Sequence, residues 1–415
     1  MASRGAHLVR SGSLFVNGSG MLGRMFARGM ARLLDVLDEK LEVGGIEATL
    51  PDGSERRIGF TKDGPAAIVH LKSWYALVRL ATSGSIGWYR AWAKGEWSSP
   101  NPVPLFALFM ANGESLGDIG RAKGSARWYN RLRHLRKDND LAGARENIAA
   151  HYDLGNDFYR EWLDPTMSYS SARFAAGDDL EAAQRRKVSL LLDRLDIGPG
   201  KRLLEIGCGW GSLALEAARR GAKVVGLTLS AEQKSWAEAK IADAELSEQI
   251  EIRMQDYREI SEQFDVIASV EMVEAVGEKW WPAWFDSIAR NLKPGGRAAV
   301  QYISINHALF DGYSRNPDFI QAYIFPGGML IDEPRFEALA KERGLSWEDR
   351  EAFGLDYART LQIWRERYEA AIREGRLEDF DERFHNLWRY YLMYCEGGFR
   401  GRGIDVAQVT MVRSA

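Results

Sequence analysis

The chain has 415 residues, 46% hydrophobic and 27% charged, enough for one large folded domain or two modest ones whose core needs no staples. A formal net charge of −3 speaks against a surface built for nucleic acid. Two cysteines, Cys208 and Cys395, exclude a disulfide framework or a Cys-rich zinc site and fit a reducing, cytoplasmic setting.

At the N-terminus, Arg4 and Arg10 lead into SGSLFVNGSGML. Its Gly and Asn break the apolar run too early for a signal peptide, and no stretch reaches the length of a transmembrane helix. The segment EVGGIEATLPDGSERRIGF predicts a hairpin around a Pro-Asp-Gly turn, and AAIVHLKSWYALVRLATSG a strand leading into a helix. Trp74, Trp88, Trp92 and Trp97 then cluster; such indoles serve either core packing or an interfacial surface. Residues 121–137 hold Arg121, Lys123, Arg127, Arg131, Arg133, Arg136 and Lys137 with no acid among them. Trp128, Leu132 and Leu135 fall at helical spacing. The segment reads as a basic amphipathic helix for an anionic lipid surface, against the plainer reading of a solvated linker helix.

From about residue 185 strand and helix alternate. KRLLEIGCG, AKVVGLTLS, IEIRMQD, FDVIASVEM and GGRAAVQYISI read as strands; GSLALEAARRG, AEQKSWAEAKIADA and PAWFDSIARNLK read as helices. This alternation predicts a doubly wound α/β domain with a mostly parallel, Rossmann-like sheet. Long helices are expected over 333–343, 357–375 and 378–395, with IDVAQVTMVR as the last strand. NPDF, residues 316–319, reads as a turn.

The sharpest motif is EIGCGWG, residues 205–211. Gly207, Gly209 and Gly211 stand where a strand becomes a helix, so the backbone can approach a ligand closely. The spacing is G-x-G-x-G, because position 212 is Ser and not Gly. LTLS, 227–230, ends the second strand with no acid for a ribose, and GPGKR lacks the Walker spacing. A Glu before the glycines, Glu205, suits S-adenosylmethionine, which has a sulfonium and an amino-acid tail but no pyrophosphate. The plain alternative is a structural tight turn.

These stretches carry a resemblance. AHYDLGNDFYREWLDPTMSYSSARF (150–174), LLEIGCGWGSLA (203–214), VVGLTLSAEQ (224–233), QDYR (255–258), SVEMVEAVG (269–277), YIFPGG (323–328), FGLDYARTLQIWRERY (353–368) and YYLMYCEGGFRGR (390–402) run in order. The chain resembles the cyclopropane fatty acid synthase family, which includes the mycolic acid cyclopropane synthases. The resemblance implies a class I methyltransferase domain over 146–415, a basic linker over 121–145, and a smaller N-terminal α+β lipid-contacting domain over 1–120. It implies methyl transfer from S-adenosylmethionine to the cis double bond of a phospholipid acyl chain, by a cytoplasmic enzyme held peripherally on the inner leaflet; it admits a homodimer. By position, Tyr169, Ser170, Glu205, Gly207, Gly209, Thr228 and Gln233 would hold the cofactor, with Asp256 and Tyr257 at the adenine. The family also binds bicarbonate near the reacting carbons. Glu274, Ile303 and Tyr357 match its ligands there, and Cys395 matches a family cysteine. Three positions depart: Ser171 stands for a Cys, Gln301 for a His, and Ala275 for a His after the Glu.

The expected chemistry needs no activated nucleophile, because the sulfonium is itself a strong electrophile; orientation and water exclusion do the work. Methyl attack leaves a carbocation, which Tyr357 can face and a carboxylate such as Glu274 can balance. Proton loss from the new methyl closes a cyclopropane; loss from a neighbouring carbon gives a methyl-branched alkene. Gln301 cannot titrate as His does, so both products stay open. So do another reaction on a methylated chain, such as dehydrogenation, and a non-catalytic lipid-binding relative. His151 reads as orienting its neighbours, Glu271 as a solvated or capping acid or, if a helical turn starts there, as joining Glu274 on one face, and Cys208 as packing.

Overall fold

β5 (Arg202–Ile206), the strand that runs into the glycines, lies near the middle of a seven-stranded sheet. The order across that sheet is β10 (Glu348–Ala352), β11 (Ile404–Val412), β9 (Leu292–Ile305), β8 (Phe264–Val270), β5, β6 (Lys223–Thr228), β7 (Ile250–Met254). The pairs β9–β8, β8–β5, β5–β6 and β6–β7 are parallel, and β10–β11 is antiparallel. Strands covered on both faces must be apolar throughout, and Leu203, Leu204 and Ile206 are all at most 1% exposed. On one face Leu191, Leu203, Leu213, Ala217, Val224, Ile241 and Val266 form a continuous core. On the other, Trp284 and Phe285 of the helix Trp281–Asn291 pack on Phe336 of the helix Glu333–Lys341. This is the doubly wound α/β sheet that the alternation predicts. β10 has no signature in sequence: all five of its residues are exposed and none alternates apolar with polar.

The computed structural model describes residues 4–13, 27–117 and 154–415, with side chains for 4–10, 32–117 and 154–415. The basic segment 121–137 and His151 lie outside the described residues. The chain divides into two compact units. The first takes the described residues up to 117 together with Asn306–Pro326 and Glu378–Ile404; the second takes those from 154 to Ile305 with Gly327–Leu377 and Asp405–Ala415. The expected division at 120 and 146 is linear, whereas two segments from beyond residue 300 fold with the N-terminal part.

The first unit has its own four-stranded sheet, ordered β2 (Glu55–Gly59), β1 (Gly45–Thr49), β3 (Ala66–Leu71), β4 (Trp97–Ser98). β1 and β2 form the hairpin around the Pro-Asp-Gly turn, and β3 leads into the helix Tyr75–Ala93. Of the clustered indoles, Trp88 and Trp97 are core residues stacked at 4.4 Å, while Trp74 and Trp92 are half-buried. Asp318 of NPDF caps the short helix Phe319–Tyr323 after a turn. The helix Glu382–Arg400 joins this unit because its glycines admit the helix Val103–Ala111: a Cβ on Gly397 would lie 2.3 Å from Phe106 Cβ and 2.9 Å from the Val103 carbonyl oxygen.

That contact makes a prediction. Gly397→Ala forces the two helices apart and costs about 1–3 kcal/mol, as overpacking does. Thermal denaturation should show a Tm several degrees below wild type; an unchanged Tm would mean the helices do not meet at Gly397.

Candidate functional site

The sheet has its topological switch point at β5: β6 and β7 continue to one side of it, β8 and β9 to the other. Ligands of such sheets bind beyond the strand ends there. Gly207 turns off β5 with φ +82, and its amide and that of Cys208 donate to the Leu227 carbonyl at 3.1 and 2.9 Å. A Cβ on Gly207 would meet Met272 at 2.7 Å, whereas one on Gly209 would meet nothing within 4 Å. The loop is therefore pinned at its base and open at Gly209. At the end of β6, Thr228 donates through Oγ1 to Gln233 Oε1 at 3.0 Å, and Ser230 caps the following helix, Ala231–Asp243. Cys208 is buried in the core, and burial pushes its thiol up, which fits packing rather than nucleophilic work.

Two buried polar atoms in this region have no protein partner. Glu205 is 3% exposed with Oε2 unbonded, and burial pushes its carboxyl up to about 8. The Tyr257 hydroxyl is also buried and unbonded. Buried polar groups left open call for a polar ligand. With the Gly209 opening they fit S-adenosylmethionine: Glu205, Gly207, Gly209, Thr228 and Gln233 sit along the ends of β5 and β6, and Tyr257 follows β7. Asp256 is less free, because both its oxygens accept from the Arg258 guanidinium at 2.8 Å. Tyr169 stands in an aromatic group with Tyr159, Trp162 and Trp364, each ring centroid 5.5 Å away. Ser170 Oγ faces Lys187 Nζ at 2.6 Å.

The centre of the second cluster is Glu271, at the end of β8. Its Oε1 accepts from Gln301 Nε2 at 2.7 Å and from the Ser171 amide at 2.9 Å; its Oε2 accepts from the Tyr357 hydroxyl at 2.7 Å. Its own amide donates to the Gln301 carbonyl at 2.8 Å. Gln408 fixes the Gln301 amide, donating to its Oε1 at 3.0 Å, so that the NH2 end faces the carboxylate. The Glu271 backbone has φ +47, a left-handed conformation that costs a non-glycine residue about 1–3 kcal/mol. The surrounding protein raises the Glu271 pKa by desolvation, opposed by the Tyr357, Gln301 and Ser171 hydrogen bonds and by the Lys187 charge. Lys187 is 2% exposed, and burial lowers it to about 8 while Glu271, Asp164 and Glu205 hold it up.

Glu274, one turn of 3-10 helix further on, differs. Its Oε1 accepts from the Ile303 amide and its Oε2 has no partner. Desolvation and the neighbouring Glu271 push it up to about 8, so it holds a proton at neutral pH. Two close carboxyls thus divide into one well-solvated by protein donors and one kept neutral.

A family model described as mycolic acid cyclopropane synthetase matches residues 139–409. The chain belongs to this family. Tuberculostearic acid methyltransferase UfaA1 of Mycobacterium tuberculosis is 37% identical over 84% of this chain and 83% of its own length. The cyclopropane-fatty-acyl-phospholipid synthase of Escherichia coli K12 is 35% identical over 88% of this chain and 96% of its own. Among solved structures, mycolic acid cyclopropane synthase CmaA1 with S-adenosylhomocysteine and CTAB superposes with a TM-score of 0.61 at 30% identity, covering 65% of this chain and 98% of its own. This family member is an S-adenosylmethionine-dependent methyltransferase.

Of the residues expected at the bicarbonate site, Ser171, Glu274, Gln301, Ile303 and Tyr357 come together. Ser171 contributes its amide and not its hydroxyl, which donates to the Ala172 carbonyl. Cys395 belongs to the first unit, where burial and Asp318 push its thiol up. Glu271 is half-buried and spends its carboxylate on protein donors rather than on a helix cap. The residues do not fit a separate bicarbonate, because the Tyr357, Gln301 and Ser171 donors are spent on Glu271. Lys187 and Gln408 were not expected here. Their signals are a Lys on the inward stripe of the helix Leu180–Arg194 and a Gln inside an apolar strand.

Two predictions follow from the charges. The unfolded chain releases the Glu274 proton near 4.5, but the folded one keeps it to about 8, so stability falls as pH rises between these values. Tm measured from pH 5 to 8 should fall less steeply in Glu274→Gln; Glu205 leaves a residual slope of the same sign. Identical slopes would contradict the assignment. Lys187→Met leaves its buried carboxylates without a countercharge and should cost about 3–5 kcal/mol by denaturant unfolding; a loss below about 1 kcal/mol would mean the Lys187 charge is not needed there.

Proposed function

We propose that the enzyme methylates the cis double bond of unsaturated fatty acyl chains in membrane phospholipid, with S-adenosylmethionine as donor. The observation that carries the reading is the pair of neighbouring carboxyls beside aromatic rings, Glu271 bonded to Tyr357, Gln301 and the Ser171 amide and Glu274 with one oxygen unbonded. That set suits a reaction whose intermediate is a carbocation. S-adenosylmethionine supplies the electrophilic methyl; the alkene needs only to be held against it. Glu205, Thr228, Gln233 and the glycine loop hold the donor. Tyr357 and Tyr169 present ring faces, which attract a cation without bonding to it. The aromatic group around Tyr169 keeps water from the cation. The relatives named for fatty acyl and phospholipid substrates support the acyl chain.

The first compact unit and the basic segment 121–137 serve as the lipid-contacting part, holding the enzyme on the anionic inner leaflet from the cytoplasmic side. No helix among the described residues is long and apolar enough to cross a membrane. A methyl-branched or methylene chain is the second reading of the product. It is favoured by Gln301, which relays no proton, and by the likeness to a tuberculostearic acid methyltransferase.

The test uses S-adenosylmethionine with a fully deuterated methyl group, vesicles of anionic phospholipid with cis-monounsaturated chains, and mass spectrometry of the released fatty acids. Label in the acyl chain is the expected result. Full retention of deuterium identifies a methyl-branched alkene; loss of one identifies a cyclopropane or a methylene, which hydrogenation then separates. No label in any chain would overturn the proposal.

A further inference from the structure

Three of the five positions matched to the family's bicarbonate ligands, Ser171, Gln301 and Tyr357, close around a side chain. Gln301 Nε2, the Ser171 amide and the Tyr357 hydroxyl reach the two oxygens of Glu271 at 2.7, 2.9 and 2.7 Å. A carboxylate and a bicarbonate present the same pair of oxygens on a planar carbon, so one set of donors serves either and cannot serve both. We infer that the Glu271 carboxylate takes the place of bicarbonate and is itself the base that removes the proton from the methylated chain. The inference rests on the methyl-transfer reading above.

A second observation is independent of those contacts. Glu271 is held at φ +47, where glycine is at ease and glutamate is not. Its amide is bonded to the Gln301 carbonyl at 2.8 Å, so the turn is fixed from both ends of the residue. Backbone strain of this kind persists where the side chain is needed in one place. The strain aims this carboxylate at Tyr357 and Gln301. Gln408 and Lys187 are positioning residues: Gln408 orients the Gln301 amide, and Lys187 supplies the nearby positive charge.

The step balances as follows. The π pair of the alkene forms the bond to the methyl carbon while the carbon–sulfur bond breaks, its pair leaving on sulfur as S-adenosylhomocysteine. The chain is left with a carbocation. Glu271 takes a proton from a carbon next to the cationic centre, or from the new methyl, and the freed C–H pair becomes the new double bond or the third bond of the ring. The protonated Glu271 returns its proton to water when the product leaves. Glu274 is disfavoured for this step, because desolvation and the neighbouring Glu271 favour its protonated form.

The test compares wild type, Glu271→Gln and Glu271→Gly in CO2-free buffer, with and without added bicarbonate. It reads both methyl transfer and binding of 13C-labelled bicarbonate by NMR. Wild type should turn over equally in both buffers and bind no bicarbonate. Glu271→Gln keeps the shape but not the base, and kcat should fall at least about a hundredfold with S-adenosylhomocysteine affinity unchanged. Glu271→Gly relaxes the backbone and opens the site; it should bind bicarbonate and recover activity when bicarbonate is added. Wild type that binds bicarbonate or needs it, or Glu271→Gln active within about threefold of wild type, would overturn the inference. If wild type labels no acyl chain, the methyl-transfer reading fails on its own, and the bicarbonate binding of wild type against Glu271→Gly still decides where the carboxylate sits.

Discussion

Three segments that lie far apart in the chain donate to one carboxylate. Ser171 stands 100 residues before Glu271, Gln301 30 after it and Tyr357 86 after it. Each donor is fixed by its own element: Gln301 by β9 and by Gln408 of β11, Tyr357 by the helix Gly354–Arg373, and Ser171 by the chain leading to the helix Leu180–Arg194. Taking a carboxylate from water into this surrounding costs several kcal/mol unless donors replace the lost hydration. The three hydrogen bonds and the Lys187 charge offset part of it. The sheet order and the strained turn at Glu271 make sense as the means of bringing them to one point.

The same logic separates the two glutamates. Glu271 receives the Tyr357 hydroxyl, the Gln301 amide group and the Ser171 amide, whereas Glu274 receives only backbone amides, those of Ile303 and of its own residue. The Glu271 charge raises the cost of ionising Glu274, while the donors on Glu271 favour its charged form against the desolvation that opposes it. A carbocation next to this pair meets a negative charge that is held rather than free to bond. On the donor side, the Glu205 oxygen and the Tyr257 hydroxyl have no protein partner, and a bound polar ligand would satisfy them.

Much of this was readable in the sequence, and the rest was not for physical reasons. The central strands are continuous apolar runs closed by glycines, a pattern that only a buried parallel sheet needs, and so β5 to β9 and the loop at 207–211 stood out. β10 did not, because an exposed edge strand of EDREA carries no burial pattern. The site residues Ser171, Glu274, Gln301, Ile303 and Tyr357 were named from family positions. What escaped was their common partner. Glu271 sits in a turn where a solvated acid is the ordinary reading, and its hydrogen bonds span separations that no local pattern reveals. Lys187 and Gln408 were hidden for the same cause, polar residues whose partners come from other elements. Glu378–Ile404 joins the first unit through close helix contact at Gly397 and Asn306–Pro326 through Phe319 and Tyr323 on Tyr89, contacts that spacing alone does not show.

The most direct measurement is a crystal structure of the enzyme with S-adenosylhomocysteine, grown in buffer containing bicarbonate. The account predicts the Glu271 carboxylate still bonded to Tyr357, Gln301 and the Ser171 amide, with no ion between them. A bicarbonate seated on those three donors, with Glu271 turned away, would contradict it.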